Sequence, residues 1–336
     1  MENKIVESLN KIEKLIGNTP LLEINYTYKG KGQKIYAKLE YYNISGSVKD
    51  RMAYYILKKS YEKGLIKKGD TIVEATSGNT GIAFCALGAF TENPVIIFMP
   101  DWMSEERKKL ISSYGAKIIN VSKEEGGFLG SIDLADKYAR EHENVFLPHQ
   151  FANELNAEGQ YNSLGKELVR DLNKNGLICD GFVAGVGTGG VIMGVAKAIK
   201  EANKDAKAFP LEPSESPTLS TGYKVGSHKI AGISDEFIPE LCKLNQLNEI
   251  VSVMSDDAII MAQKLAKRGL GVGISSGANF IGAVKAKEML GEDKVVATVF
   301  SDDSKKYLST DLMKNLEVKD NHLSKDIEII SYRVVS

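Results

Sequence analysis

The 336-residue chain is 43% hydrophobic and 26% charged, with a net charge of −1. That balance belongs to a soluble globular protein long enough for two domains. It leaves no basic excess for nucleic acid and no like-charge block that reads as a tail, and the longest apolar runs are too short to span a bilayer. The N-terminus is mixed in charge and lacks the apolar core of a signal peptide, so a cytoplasmic protein is expected. Cys85, Cys179 and Cys242 are odd in number, widely spaced and set among apolar residues. They read as buried free thiols rather than disulfides or a zinc site. The four histidines are scattered, and no metal is expected.

In chain order, short apolar runs alternate with helical patterns. Residues 34–40 read as a strand and 48–64 as an amphipathic helix closed by Gly64. Strand and helix follow at 70–76 and 79–91, at 93–100 and 104–115, and at 116–122 and 131–142. A second series has a helix over 158–174, a strand over 180–186, a helix over 189–203 and a strand over 206–213. Helices at 255–269 and 276–290 and a strand at 294–301 complete it. Apolar strands alternating with helices imply an α/β fold, with mostly parallel sheets covered on both faces. The change of character near 148–158 implies two lobes. The smaller, mobile lobe is expected over 43–157, and the larger over 1–42 and 158–318. The β-like tail, 319–336, has no assigned role.

Two strand–helix junctions carry small residues. One is Thr76-Ser77-Gly78-Asn79-Thr80; the other runs from Gly185 to Gly190. At such junctions free N–H groups and the helix dipole favour an anion, and glycine lets the backbone come close. The second loop is mostly glycine, with one hydroxyl at Thr188, which suits a phosphate held by backbone N–H groups. The first carries the side chains of Ser77, Asn79 and Thr80, which suits a carboxylate with a specific hydrogen-bonding partner. Taken alone, Gly185, Gly187 and Gly190 also fit a dinucleotide-binding G-x-G-x-x-G, with Glu212 at the distance of a ribose-binding acid.

Lys49 follows Gly46, Ser47 and Val48 at the expected start of a helix. Ser47 and Asp50 have the spacing of a capping box, which places Lys49 in the first turn, where the dipole disfavours a cation. A lysine that loses its proton readily forms a Schiff base. Paired with a phosphate loop, it points to pyridoxal 5′-phosphate, whose aldehyde takes the lysine and whose phosphate takes the glycines.

The motifs "IGNTPLLEI", "KLEYYNISGSVKDR", "EATSGNTGI", "HQFANELN", "GVGTGG", "LEPSESPTLS", "HKIAGI" and "GISSGAN" occur in this order over nearly the whole chain. In them the chain resembles the cysteine synthase and cystathionine β-synthase family of pyridoxal-phosphate enzymes, of fold type II. The resemblance makes Lys49 the Schiff-base lysine and catalytic base. It gives Asn79 the cofactor's ring hydroxyl, Gly187, Thr188, Gly189, Gly190 and Val191 its phosphate, and Ser275 its pyridine nitrogen. Thr76, Ser77, Asn79, Thr80, Gln150 and Gly232 become the substrate-binding residues. A neutral serine at the ring nitrogen makes a weaker electron sink than an aspartate, which favours loss of a β-substituent over transamination. The implied reaction is β-replacement on a β-substituted L-alanine through an α-aminoacrylate, in a homodimer acting on a small amino acid.

Four places depart from the family pattern. The loop before Lys49 reads "YYNISGS". Val191 stands where a threonine is usual. Ser304, Lys305 and Lys306 stand where Gly-Glu-Arg is common. Ser234-Asp235-Glu236 precede Phe237, where small uncharged residues are usual. In the family that last loop lies near the substrate's amino group and Cβ. An acid at Asp235 is therefore expected to act as acid/base and shift the nucleophile from sulfide toward water or a thiol; Glu236 reads as a surface residue. Cysteine synthesis from O-acetylserine and sulfide is the leading reading. Sulfide-releasing consumption of L-cysteine and serine/threonine dehydration are the alternatives.

Overall fold

The computed structural model describes residues 2–233 and 236–336. The larger sheet opens with an antiparallel hairpin of β1 (Leu21–Tyr28) and β2 (Lys31–Leu39). Lys29 and Gly30 at its tip have φ of 50° and 78°, the left-handed pair that matches strand twist in a two-residue turn. The chain then builds a smaller sheet. Helix α2 (Lys49–Glu62) leads to β3 (Thr71–Ala75) and α3 (Asn79–Thr91). Next come β4 (Val95–Pro100), α4 (Glu105–Ser113), β5 (Lys117–Val121), α5 (Gly127–Glu141) and the short β6 (Val145–Phe146). These four strands are parallel, in the order β5-β4-β3-β6.

The rest of the chain returns to the larger sheet. Helix α6 (Glu154–Gln160) passes through a widened π turn, Tyr161–Gly165, into α7 (Lys166–Lys174). Then follow β7 (Gly181–Gly185), α8 (Gly190–Ala202), β8 (Lys207–Pro213), the single turn α9 (Thr218–Thr221) and β9 (Val251–Val253). Helices α10 (Ser255–Lys267) and α11 (Ile274–Leu290) precede β10 (Val296–Phe300) and β11 (Ile327–Val334). The seven-stranded order is β11-β1-β2-β10-β7-β8-β9.

The alternation of strands and helices follows the sequence pattern closely, and β4, β7 and β10 are buried almost throughout, as strands covered on both faces must be. Three features differ from the expectation. The single helix expected over 158–174 starts at Glu154 and is interrupted by the π turn, where Gly165 packs so closely on α8 that a Cβ would lie 2.7 Å from that of Ala198. The helix expected from 131 begins at Gly127. One edge of the larger sheet is antiparallel, because β1 pairs antiparallel with β2 and, on its other side, with β11 formed by the tail. The N-terminal helix α1 (Glu2–Ile12) puts Ile5 and Leu9 into a core shared with Met52, Leu57, Phe84 and Ile97, beneath the smaller sheet. All three cysteines are buried and free. Among the described residues no helix is long and apolar enough to cross a membrane.

Candidate active site

Helix α2 carries Lys49 as its first residue, and what fixes that helix lies two residues on. The Arg51 side chain is fully buried. It grips Glu40, just beyond β2, through Nε at 2.5 Å and Nη2 at 2.9 Å. It also grips Glu167 on α7 at 2.8 Å through each Nη. The pull of Glu40 and Glu167 holds the guanidinium charged despite its burial, and that of Arg51 and Lys38 drops the Glu167 carboxyl to about 2. Paired and saturated in this way, buried charges set one orientation of α2 on the larger sheet. The expected capping box is half formed. The Asp50 carboxylate accepts from the backbone N–H groups of Ser45 and Ser47 and from the Ser45 hydroxyl. The Ser47 hydroxyl accepts from Lys49 N rather than from Asp50 N. Burial pushes the Asp50 carboxyl up, against those hydrogen bonds.

Lys49 lines one cleft with nearly every other residue singled out from the sequence. Thr76, Ser77, Asn79, Thr80, Gln150, Gly187, Thr188, Val191, Gly232 and Ser275 share its walls. Gly189 and Gly190 stand behind, at the turn into α8, with Gly189 at φ 84°. Asp235 lies outside the described residues. Its neighbour Glu236 pairs with Lys224 at 2.7 Å, and Phe237 packs edge-on against Phe151.

The hydroxyl-bearing loop is braced from behind. Thr80 Oγ1 donates to Gln150 Oε1 at 2.7 Å, and Gln150 Nε2 donates to the Ala75 carbonyl at 2.6 Å. Glu74 accepts from the N–H groups of Ala75 and Gln150; burial pushes its carboxyl up to about 8. Thr76 Oγ1 takes the Gly78 N–H at 3.0 Å. The glycine loop is shaped by close packing instead. A Cβ on Gly187 would lie 2.4 Å from the Gly232 carbonyl oxygen, and one on Gly190 would lie 1.9 Å from Asn156 Oδ1. Asn156 joins the two loops, donating to the Gln150 carbonyl and to Thr188 Oγ1, each at 2.9 Å.

Glu212 does not fill the ribose role that a dinucleotide site requires. It is fully buried at the end of β8. Its carboxylate accepts from the N–H groups of Leu219 and Ser220 and from the hydroxyls of Ser220 and Ser252. The glycine loop lines the cleft with Lys49, and the acid on the next strand, β8, is not left for a ribose.

Sequence reasoning passed over several residues that hold the site. Arg107 on α4 is 5% exposed, has a buried Nε without a partner among the described residues, and lines the cleft while stacking on Tyr307. Asn156 lay inside a recognised motif without a role. Asp302 and Lys306 both bond Asn79. In the sequence Lys306 stands out only as a departure from the family pattern.

A lysine at one helix start and a glycine-rich loop into another helix line one cleft, an arrangement that suits an enzyme holding a phosphorylated aldehyde. The pyridoxal-phosphate fit rests on that pair: the loop into α8 lines the cleft through Gly187, Thr188 and Val191, and Lys49 and Ser275 share the same walls. The sequence matches the family described as "Pyridoxal-phosphate dependent enzyme" over residues 12–302, and the chain belongs to that family. It is 39% identical to a probable cysteine synthase of Bacillus subtilis, covering 89% of this chain and 96% of the relative. It is 40% identical to cysteine synthase B of Campylobacter jejuni, covering 90% and 98%. A solved hydrogen sulfide-producing enzyme from Fusobacterium nucleatum superposes with a TM-score of 0.95 at 59% identity, covering 98% of this chain and 99% of the other. That enzyme has also been solved as an aspartate-to-asparagine variant in complex with an α-aminoacrylate intermediate.

Proposed function

We propose that this enzyme performs β-replacement on a β-substituted L-alanine, with cysteine synthesis from O-acetylserine and sulfide as the first reading. The observation that carries it is the convergence on one cleft of Lys49, the hydroxyl loop, the glycine loop and Ser275; the likeness to curated cysteine synthases supports the substrate class. Pyridoxal phosphate, when bound, supplies an aldehyde for the substrate amine and a ring that stabilises negative charge at Cα. The N–H groups at Gly187–Val191 would hold its phosphate, and the Ser275 hydroxyl would bond the ring nitrogen without forcing a proton onto it. Thr76, Ser77, Asn79 and Thr80, with Gln150 and Gly232, orient the substrate carboxylate, so that the Cα–H faces Lys49. Lys49 Nζ takes that proton, the β-substituent leaves, the nucleophile adds at Cβ, and Lys49 returns the proton. Closure of the smaller sheet's lobe (43–157) toward the larger one excludes water during the exchange.

A second reading is favoured by one observation. The 59%-identical solved enzyme is named for producing hydrogen sulfide. In that direction L-cysteine is the substrate, thiol is the leaving group, and water or a second thiol is the nucleophile, with Asp235 as acid/base. Both directions use the same carboxylate grip and the same base. Free buried thiols fit a reducing compartment, so the proposal includes a cytoplasmic enzyme; a homodimer follows from the family resemblance.

Sulfide and organic products are measured with L-cysteine alone, then with O-acetylserine plus sulfide. Cysteine formed only in the second assay supports the first reading. Sulfide with serine or a thioether in the first assay supports the second, and then Asp235→Asn should lose most of the release. Pyruvate as the main product in either assay would discard β-replacement for elimination.

A further inference from the structure

Asn79 sits where α3 begins and lines the cleft together with Lys49 and the glycine loop. Its side-chain amide is held at both ends by residues that follow β10 in the other sheet. Nδ2 donates to Asp302 Oδ2 at 2.7 Å, and Oδ1 accepts from Lys306 Nζ at 3.0 Å. These partners admit one flip of the amide only, since the reverse would turn the oxygen toward a carboxylate and the amino group toward a cation. One N–H of Nδ2 remains for the cleft.

Both partners are themselves tied down. Asp302 is fully buried, and its Oδ2 also accepts from Tyr307 at 2.7 Å. Lys306 is 6% exposed. It spends all three donors on neutral oxygens: those of Asn79, Ser45 at 3.1 Å and Gly46 at 3.0 Å. Ser45 and Gly46 belong to the loop that leads into Lys49. Burial lowers the Lys306 pKa, with Asp302 and Asp50 acting against that. A buried lysine with no other task would be costly; this one links the Schiff-base lysine's loop to the Asn79 amide.

We propose that Lys306 and Asp302 are positioning residues which lock the Asn79 amide so that its remaining N–H is aimed at the oxygen of the ligand bound beside Lys49. The inference rests on the reading above, in which that oxygen is the ring hydroxyl of pyridoxal phosphate. With the amide locked, the hydroxyl oxygen always meets a donor and is held in its ionised form. With Lys306 lost, Asp302 alone holds the amide, and its N–H swings off that oxygen part of the time, which favours the protonated form. The arrangement does not require a lysine as such: an arginine at 306 carries the same positive donors.

The test is the absorption spectrum of the purified holoenzyme, read as the ratio of the long-wavelength band (ionised ring oxygen) to the short-wavelength band (protonated). Lys306→Met is expected to lower that ratio about three- to tenfold, the effect of losing one hydrogen bond. Lys306→Arg should restore it. If the methionine variant does not fold, Lys306→Gln takes its place; it keeps a neutral donor and should shift the ratio in the same direction by less. An unchanged ratio in a folded, cofactor-loaded Met or Gln variant overturns the inference and leaves the proposed function standing. Failure of borohydride to fix the cofactor onto Lys49 in the wild-type protein overturns both together.

Discussion

The two helix starts that line the cleft solve the same electrostatic problem by opposite means. At α8 the loop is glycine, and its form is set by how little room surrounds it: the Gly232 carbonyl, Asn156 and Cys242 leave no space for a Cβ. At α3 the loop carries side chains, and its form is set by a relay of hydrogen bonds from Thr80 through Gln150 to Ala75. A loop shaped by crowding fails when atoms are added. A loop shaped by hydrogen bonds fails when polar atoms are removed. The first kind suits a ligand that stays, such as a cofactor phosphate; the second suits one that exchanges in every turnover.

The sharpest break in this contrast is Gly187→Ala. The added methyl meets a backbone oxygen, an overpacking cost of roughly 1–3 kcal/mol. Cofactor dissociation constants, measured by fluorescence titration, should rise ~10–100-fold. An unchanged cofactor affinity would show that crowding is not what shapes this loop. Gln150→Leu comes next. It strips the relay and leaves the Ala75 carbonyl and Thr80 hydroxyl without partners, at about 1–3 kcal/mol each. The KM for the amino-acid substrate should climb by about tenfold or more while cofactor affinity holds; parallel losses in both would erase the distinction between the loops.

Glu74 sharpens the comparison through pH. Its folded pKa of about 8 stands above the unfolded value of 4.5. The native state therefore holds an extra proton between those values, and stability falls as pH rises across that window, by up to about 1.4 kcal/mol per pH unit. Glu74→Gln should flatten the fall in a thermal-melt series and leave the variant the more stable protein above pH 8. Because Glu74 bonds Ala75 and Gln150, wild-type KM should shift only around pH 8, where the folded carboxyl ionises, without a matching loss of cofactor; melts that run parallel for the two proteins would contradict the stability window. The smallest effect is expected from Thr80→Val, which keeps shape and loses one donor, a several-fold rise in KM.

Much of this was legible in the chain. The strand and helix runs were readable because buried parallel strands and amphipathic helices carry their period in consecutive residues. Lys49 and both loops were readable because each is a local motif. What escaped is polar and distant. Arg51 sits two positions from Lys49, yet Glu167, which fixes it, is 116 positions away; Asp302 and Lys306 reach Asn79 across 223 and 227. Glu212 fits a ribose ligand on spacing alone, because spacing does not reveal that Leu219, Ser220 and Ser252 already occupy its carboxylate; the other motifs are what set that rival aside. The tail was seen as β-like, but nothing local in 327–334 says that its partner is β1.

That last pairing has a consequence for how the protein is made. Strand β1 finds β11 across more than 300 residues, with Arg333 reaching Glu23 at a separation of 310. At roughly 5–20 residues per second of synthesis, the edge of β1 waits about 15–60 seconds before its partner exists. Through that interval the nascent sheet carries an open row of N–H and C=O groups. The β2 side of the same hairpin waits almost as long, for β10, so the larger sheet closes around β1 and β2 only near the end of synthesis.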